Sequence, residues 1–394
     1  MPGFVNSRAA AWIGLGLAAL MSTVYAAWFA QRPLYNWDLI PYVAVALLDA
    51  GQPADSVRQK TYEIIERSTP PDSHEFLFGG SEYKQDTYNR GADYRYMVAH
   101  DSKIFADQLP LYTVKPAYPA LMSLLVRARV NPVTAAYLIS GVAYAAICFL
   151  FYVWFSRWLN PVLSLLITSL LSLNPILVQL AQLATPDSLS VLLLLLGTFL
   201  AVEVRNLAAG VTIFILSILV RPENIMYVFI FSVYLLIIKR MVIINSLIAL
   251  GLAFGIYFFQ TRISHNYGWA VLFKFTFFDW TVLEHPSDIS VGLSDYAIVY
   301  AKEIFRMFFT RGVAFPIFLL VGIGALLLRH DPPPSWQDPY VQVILVAAVY
   351  VTARIAALPG ETDRALAFPY MLIAISFINV CIFLRKRSVL TNAC

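Results

Sequence analysis

The chain has 394 residues, of which 59% are hydrophobic and 13% are charged, and its mean hydropathy is +0.67. The charged share is about half that of an ordinary soluble domain, so the composition predicts a protein that crosses a membrane several times. The net charge of +4 is too small and too dispersed to bind nucleic acid. Neither the three cysteines, Cys148, Cys381 and Cys394, nor the five histidines have the spacing of a disulfide framework or a metal site.

Ten apolar segments approach or reach the roughly 20 residues needed to cross about 30 Å of hydrocarbon. We therefore predict an all-α polytopic membrane protein with about ten transmembrane helices, forming one domain over residues 1–394. The first segment exceeds the roughly 7–15 residues of a signal-peptide core, so we expect a retained anchor. The segments are Ala10–Ala30, Pro132–Phe155, Pro161–Val178, Ser188–Val204, Leu207–Val220, Pro222–Ile238, Val242–Phe259, Gly312–Leu328, Tyr340–Leu358 and Ala365–Leu384.

The basic residues between these segments predict the orientation of the chain. If the N-terminus is cytoplasmic, every second connection is cytoplasmic, and each of those connections and the C-terminal tail carries positive charge, as the positive-inside rule requires. Both termini are then cytoplasmic, in a multi-pass protein of the plasma (inner) membrane. The charges are Arg157, Arg205, Lys239 with Arg240, Arg329, and Arg385 to Arg387.

Two long polar connections, residues 31–131 and 260–311, lie on the predicted extracytoplasmic side. The first is expected to fold into a cap of short helices that belongs to the membrane domain. Within it, Pro41–Ala50 predicts a short amphipathic helix that begins at a proline, ends before Gly51 and lies on the outer interface. This side carries the more elaborate structure, so we expect the active site there.

Two carboxylates on the outer side are candidates for catalysis. Asp38 lies just beyond the first span, where partial loss of hydration would suit a general base for a sugar or lipid hydroxyl; alternatively, it caps the helix near Pro41. Asp187 lies in a short outer turn, where its alternative role is also helix capping. Because both lie on one face, they could share a divalent cation or divide the proton transfers between them.

Basic side chains are predicted on the same face. Arg221 interrupts an apolar run, and it should face protein, phosphate or water because an arginine deep in hydrocarbon costs about 2.5–3.5 kcal/mol. Arg354 and Arg364 come from the last spans, and three guanidiniums at one site would suit a phosphate. Lys115 closes the first long connection and adds a point charge. Each of these residues could instead snorkel to the interface, and Glu223 could simply pair with Arg221.

Four short motifs stand near the predicted outer ends of the spans. They are Trp37-Asp38 followed by Tyr42, Lys115-Pro116-Ala117-Tyr118-Pro119, Asp187 before a leucine-rich span, and Arg364 with Pro369. Together with the span number and the two long connections, they resemble the GT-C superfamily of integral-membrane glycosyltransferases. The likeness is to the branch of protein O-mannosyltransferases and lipid A aminoarabinose transferases. Ala117 replaces the second proline of that family's K-P-P-L motif, and the first motif has one acidic residue instead of two.

The resemblance implies that a polyprenyl-phosphate-linked sugar enters from the bilayer and is transferred to an acceptor hydroxyl on the extracytoplasmic face, with inversion. It makes Asp38 the catalytic base, Asp187 an auxiliary acidic residue, and Tyr42, Lys115 and the three arginines the residues that bind the donor. The acceptor, whether lipid, glycan or protein, stays open, as does a requirement for a divalent cation.

Two other functions compete with this interpretation. A secondary transporter would place its site near the midplane of the membrane on broken helices related by internal repeats, and we see no repeat in the sequence. A glycan polymerase or ligase with diphosphate-linked lipid donors would use a similar arginine-rich outer face.

Overall fold

A computed structural model describes residues 7–79, 90–238, 241–278, 280–283, 286–310, 324, 338–359 and 363–391. The regular elements of this part of the chain are helices, with one isolated parallel bridge between Leu34 and Leu183. A π-helical turn, Phe199–Glu203, extends α12, and 3-10 turns include Pro222–Asn224 and Asp363–Leu366. The α-helices are α1 Ser7–Ala30, α2 Leu39–Asp49, α3 Ala54–Ser68, α4 His74–Phe78, α5 Arg90–His100, α6 Ser102–Gln108, α7 Pro110–Thr113, α8 Ala117–Arg127, α9 Pro132–Phe155, α10 Pro161–Ser172, α11 Pro175–Gln182, α12 Asp187–Thr198, α13 Leu207–Ser217, α14 Ile225–Ile237, α15 Ile243–Ile263, α16 Trp269–Phe277, α17 Leu293–Thr310, α18 Pro339–Ala357 and α19 Ala367–Thr391.

Among the described residues, five helices are long and apolar enough to cross a membrane, namely α1, α9, α15, α18 and α19. Helices α10 and α11 meet at 66° and together would form a sixth span. Three further predicted spans are shorter helices: α12 with its π-helical turn, α13, and α14. The predicted span Gly312–Leu328 and the basic residues Lys239, Arg240 and Arg329 lie outside the described residues. The all-α class, with several helices able to span a membrane, is confirmed, and the number of ten spans stays a prediction.

The long helices share one apolar core. Helix α9 packs against α1 and α12, and α18 packs against α19. Helices α12 and α13 approach closely at two glycines, because a Cβ atom on Gly210 would lie 2.7 Å from the carbonyl oxygen of Gly197. This close crossing lies in the first turn of α13, which ends at Ser217, and the turn that follows the helix carries Arg221.

The first long connection folds into short helices, α2 to α8, which we call the cap. The cap has its own apolar cluster, and it shares that cluster with α9 and α16. Helix α2 is its centre: residues Leu39–Leu47 are all buried, because α3, α7, α8 and α9 pack around them. The helix predicted over Pro41–Ala50 therefore forms, but other helices cover it on its sides, and its position relative to the outer interface stays a prediction.

The end of α2 follows from its sequence. Gly51 adopts a left-handed conformation with φ of +102°, and the N–H of Gln52 donates to the carbonyl oxygen of Leu47. This is the glycine-terminated motif that satisfies the last carbonyls of a helix. The second long connection, predicted over 260–311, contains α16 and α17, and α15 extends into it as far as Ile263.

Candidate functional site

The side chains predicted for the site meet where the cap joins the long helices. They come from elements that are far apart in sequence, and each stands at or near the end of a helix. Asp38 and Tyr42 belong to the start of α2, Lys115 to the turn between α7 and α8, Asp187 to the first residue of α12, Arg221 to the turn after α13, Arg354 to the last turn of α18, and Arg364 to the 3-10 turn before α19.

Three side chains hold the carboxylate of Asp38. Arg364 donates to its Oδ2 atom at 2.9 Å, and the Asn36 amide donates to the same oxygen at 2.8 Å. The Tyr112 hydroxyl donates to Oδ1 at 3.3 Å. Asp38 makes no side-chain capping bond to α2, so the alternative of a structural cap is wrong. The side chain keeps 21% of its surface exposed, so solvent reaches part of it.

Asp187 is an anchor for two arginines. Arg221 donates to its Oδ1 atom, and Nε of Arg364 lies 3.7 Å from its Oδ2 atom. Burial works to raise the pKa of Asp187, but Arg221 and Arg364 outweigh it and hold the pKa below its usual value. Asp187 therefore stays ionised near neutral pH, and its carboxylate holds the two arginines in place.

Arg364 lies between the two acidic residues, because the same guanidinium contacts Asp38 and Asp187. The guanidinium of Arg364 thus contacts both carboxylates, in the place where the sequence suggested a shared cation. Within the described ranges, no group of three or more His, Cys, Asp or Glu side chains is arranged to hold a metal ion.

Lys115 is enclosed by two tyrosines. Its Nζ atom donates to the hydroxyl of Tyr42 at 3.2 Å and lies 5.7 and 5.4 Å from the ring centres of Tyr42 and Tyr112. Burial lowers the pKa of Lys115, although the nearby carboxylate of Glu223 opposes that shift. A lysine held by two aromatic rings is not a snorkelling side chain.

A cavity of about 330 Å³ opens beside Lys115. Arg221, Arg354 and Glu223 also line it, and Nε of Arg221 lies 3.6 Å from a carboxylate oxygen of Glu223. Its remaining walls are mostly apolar and come from α14, α16 and the end of α18. Arg354 is buried, at 3% exposure, and it also lines a small void together with Asp187 and Arg364. The cavity and the Asp38–Arg364 pair therefore belong to one continuous cluster.

The charges of this cluster favour an anion. Four basic side chains, Lys115, Arg221, Arg354 and Arg364, face three carboxylates, Asp38, Asp187 and Glu223, which leaves one positive charge. Guanidinium groups in a partly dry site bind phosphate oxygens well, since their planar arrangement of donors matches them.

A larger cavity of about 850 Å³ lies on the other side of the turn that carries Lys115. Thr113 and Pro116 face this cavity, whereas Val114 and Lys115 face the smaller one. Most of its lining is apolar and comes from the cap and from the end of α15. Gln260 lines it with 4% exposure, and the Gln260 side-chain oxygen has no hydrogen-bond partner among the described residues.

Three residues of the site and its cavities were not predicted from the sequence, namely Asn36, Tyr112 and Gln260. Tyr112 precedes Lys115 by three residues, a spacing that puts two residues on one side of a helical turn. That signal is weak in a chain with 22 tyrosines. Nothing in the local sequence distinguishes Gln260 from an ordinary polar residue at the end of a span.

A second polar cluster lies at the opposite end of α12 and provides a contrast. Glu203 follows Asp187 by 16 residues, about 24 Å along a helix axis. It accepts hydrogen bonds from the Tyr340 hydroxyl and, at 3.3 Å, from the indole N–H of Trp158. The Trp154 indole donates to the same tyrosine at 2.9 Å. These contacts tie α9, α12 and α18 together away from the candidate site.

Comparison of the chain with protein-family models, with curated proteins and with solved structures gave no match in any of the three. A statement about function therefore depends on the chemistry of the cluster around Asp38 and Arg364.

Proposed function

We propose that the protein is a GT-C-like membrane glycosyltransferase that moves a sugar from a polyprenyl-phosphate-linked donor to an acceptor hydroxyl. The observation that carries the proposal is the position of Asp38. Its partly exposed carboxylate belongs to the same cluster as Lys115, Arg221 and Arg354, which line one cavity. A base beside a cationic cavity is what the transfer of a phosphate-linked sugar requires.

The reaction has two demands that these residues meet. The acceptor oxygen attacks the anomeric carbon, and its proton passes to Asp38. The bond from that carbon to the phosphate oxygen breaks, and the bonding electrons leave with the phosphate. Lys115, Arg221 and Arg354 stabilise the negative charge that develops there, because they are already in place in the cavity before the reaction. Attack opposite the leaving group inverts the anomeric centre.

The remaining predicted residues act through these groups. Asp187 holds Arg221 and Arg364, and Tyr42 holds Lys115. The apolar walls of both cavities suit a substrate with a hydrocarbon chain that enters from the bilayer. We place the cap and the site on the extracytoplasmic side of the plasma membrane and both termini in the cytoplasm, since this orientation agrees with the positive-inside rule.

Two alternatives remain as competing proposals. A transporter would use the break between α10 and α11, where Tyr144 donates to the carbonyl oxygen of Ser172 at 2.8 Å and the Asn174 side chain accepts from the N–H of Ile176 at 3.0 Å. The charged cluster lies on other elements. A glycan polymerase or ligase would use the same cluster, and the length of the product would distinguish it from a single-sugar transferase.

The experiment begins with mass spectrometry of lipids that co-purify with the protein in native membrane discs. We expect an enriched polyprenyl phosphate or its sugar ester, which then serves as the donor in a transfer assay. Asp38→Asn should abolish transfer. The matched control is Glu203→Gln, a carboxylate-to-amide change at the other end of α12, and it should leave transfer intact. Bulk phospholipid alone, or near-normal transfer by Asp38→Asn, would overturn the proposal.

A further inference from the structure

Two tyrosines lie together between the proposed base and the proposed phosphate-binding lysine. Tyr42 and Tyr112 are buried, at 1% and 8% exposure, and their rings meet edge to face with centres 5.1 Å apart. Their hydroxyl groups point to different partners. The Tyr42 hydroxyl accepts a hydrogen bond from Lys115, and the Tyr112 hydroxyl donates one to Asp38. One aromatic pair thus contacts both halves of the site.

The two oxygens of Asp38 are not equivalent. Oδ2 accepts bonds of 2.8 and 2.9 Å from Asn36 and Arg364, and the second is charge-assisted. Among the described residues, the bond that Oδ1 accepts is the longer one from Tyr112, at 3.3 Å. An oxygen with two short donors holds an added proton less well than an oxygen with one long donor, because its lone pairs are already engaged. Oδ1 is therefore the oxygen available to a substrate proton.

We infer that Tyr112 is a positioning residue for the transfer reaction, which orients Oδ1 of Asp38 toward the acceptor hydroxyl. Its role differs from that of Tyr42, which positions Lys115 for the donor phosphate. This inference rests on the proposed function.

The surroundings of Tyr112 keep its hydroxyl in one place. Its ring is enclosed by the Tyr42 ring and by the ammonium group of Lys115, 5.4 Å from the ring centre. Its backbone N–H donates to the carbonyl oxygen of Leu109 at 2.9 Å, in a turn that begins with Pro110. A side chain with these contacts can orient a carboxylate without losing much rotational freedom on binding.

The charged and titratable groups that act on Asp38 or its tyrosine partners come from several elements. They are Lys115, Asp187 and Arg364, with Arg221 behind them, and the tyrosines Tyr42, Tyr94, Tyr112 and Tyr118. Replacement of Tyr112 by phenylalanine removes one hydroxyl from this set and leaves the ring in place. A change in the pH profile of that variant can therefore be assigned to the lost hydrogen bond.

The test compares Tyr112→Phe with Tyr42→Phe, two variants that each lose one hydroxyl from the same aromatic pair. For Tyr112→Phe we expect kcat to fall roughly tenfold, the effect of one weak hydrogen bond to a charged group. The donor KM should stay unchanged. The acidic limb of the pH profile of kcat should move to higher pH, because a carboxylate that loses a donor takes up protons more readily. For Tyr42→Phe we expect a different pattern: a higher donor KM with no movement of the acidic limb, because the lost hydroxyl contacts Lys115 and not Asp38.

A second measurement covers the case in which Tyr112→Phe does not fold. Incorporation of 3-fluorotyrosine at position 112 keeps the ring and makes the hydroxyl a stronger donor, so the acidic limb should move to lower pH. A wild-type pH profile and kcat in these variants, with Asp38→Asn inactive, would overturn the inference and leave the proposed function standing. Transfer by Asp38→Asn would overturn the proposed function itself.

Discussion

Arg364 is the side chain whose removal should disturb the site most, because one guanidinium separates two carboxylates. Its nitrogens lie 2.9 Å from Asp38 and 3.7 Å from Asp187. At an effective dielectric constant near 20, opposite charges at such distances attract by about 4 kcal/mol, and desolvation offsets part of this gain. We expect Arg364→Ala to lower the free energy of unfolding by about 3 kcal/mol, the low end for a broken buried ion pair. The low end applies because Arg221 still neutralises Asp187.

The pH dependence of this loss has a definite sign. In wild type, the pKa of Asp187 is lowered, so its stabilising contribution is present at neutral pH and is lost only as the pH falls through that low pKa. In Arg364→Ala, Asp187 loses one of the two guanidiniums that hold its pKa down, so this contribution is smaller than in wild type. The deficit of the variant should therefore be constant near neutral pH and should shrink as the pH falls below about 3.9, the ordinary pKa of an aspartate.

The assay is unfolding of the purified protein in detergent, followed by tryptophan fluorescence at pH 3, 4, 5 and 7. Asp38→Asn in the Arg364→Ala background should restore part of the lost stability, because the amide removes a carboxylate that has lost its ion-pair partner. Arg364→Lys keeps the positive charge and should lose less stability than Arg364→Ala. A deficit in Arg364→Ala that is constant across this pH range would refute the bridging role of the guanidinium.

Two further predictions concern the lysine and the crossing of α12 and α13. Because burial lowers the pKa of Lys115, affinity for a polyprenyl phosphate should fall at alkaline pH as Lys115 loses its charge. Lys115→Arg keeps its charge, so a binding titration of this variant should show no such fall. The same alkaline loss of affinity in the variant would count against the role of the lysine. Gly210→Leu should lower the free energy of unfolding by about 1–3 kcal/mol, because its side chain pushes apart α12 and α13 where Gly210 and Gly197 meet. Gly16→Leu, at a glycine with no atom within 4 Å of an added Cβ, should leave the free energy of unfolding unchanged, and equal effects of the two variants would contradict this account.

The helices were largely predictable because length and apolar composition decide whether a segment can span a membrane. The predicted span Pro132–Phe155 coincides with α9. The predicted span Pro161–Val178 ran through Asn174-Pro175, a helix-breaking pair at which the chain bends by 66°. The burial of α2 could not be predicted in this way. A hydrophobic pattern says that a helix has an apolar face, but not that other helices cover it on all sides.

The contacts of the site also fall into two kinds, those that the neighbouring sequence predicts and those that join residues far apart in the chain. Arg221 was identifiable because a charge in an apolar run must have a partner, and Asp187 is that partner. The pairing of Asp38 with Arg364 joins residues 326 positions apart, and no spacing rule reaches that far. Tyr112 carries no charge, so its contact with Asp38 becomes evident only in three dimensions.

In the proposed reaction, the net charge of the cluster links the base, Asp38, to the basic residues that bind the phosphate. Four basic and three acidic side chains leave one positive charge, which matches the single negative charge of a sugar phosphodiester. When the sugar leaves, the phosphate becomes a monoester with a charge of about −2. In the same step Asp38 takes the acceptor proton and loses its own negative charge, so the cluster gains one positive charge just as the leaving group gains one negative charge. Asp38→Asn would have that extra positive charge from the start but no site for the proton. It should therefore bind the donor at least as tightly as wild type while it transfers no sugar, a combination that a purely structural role for Asp38 would not produce.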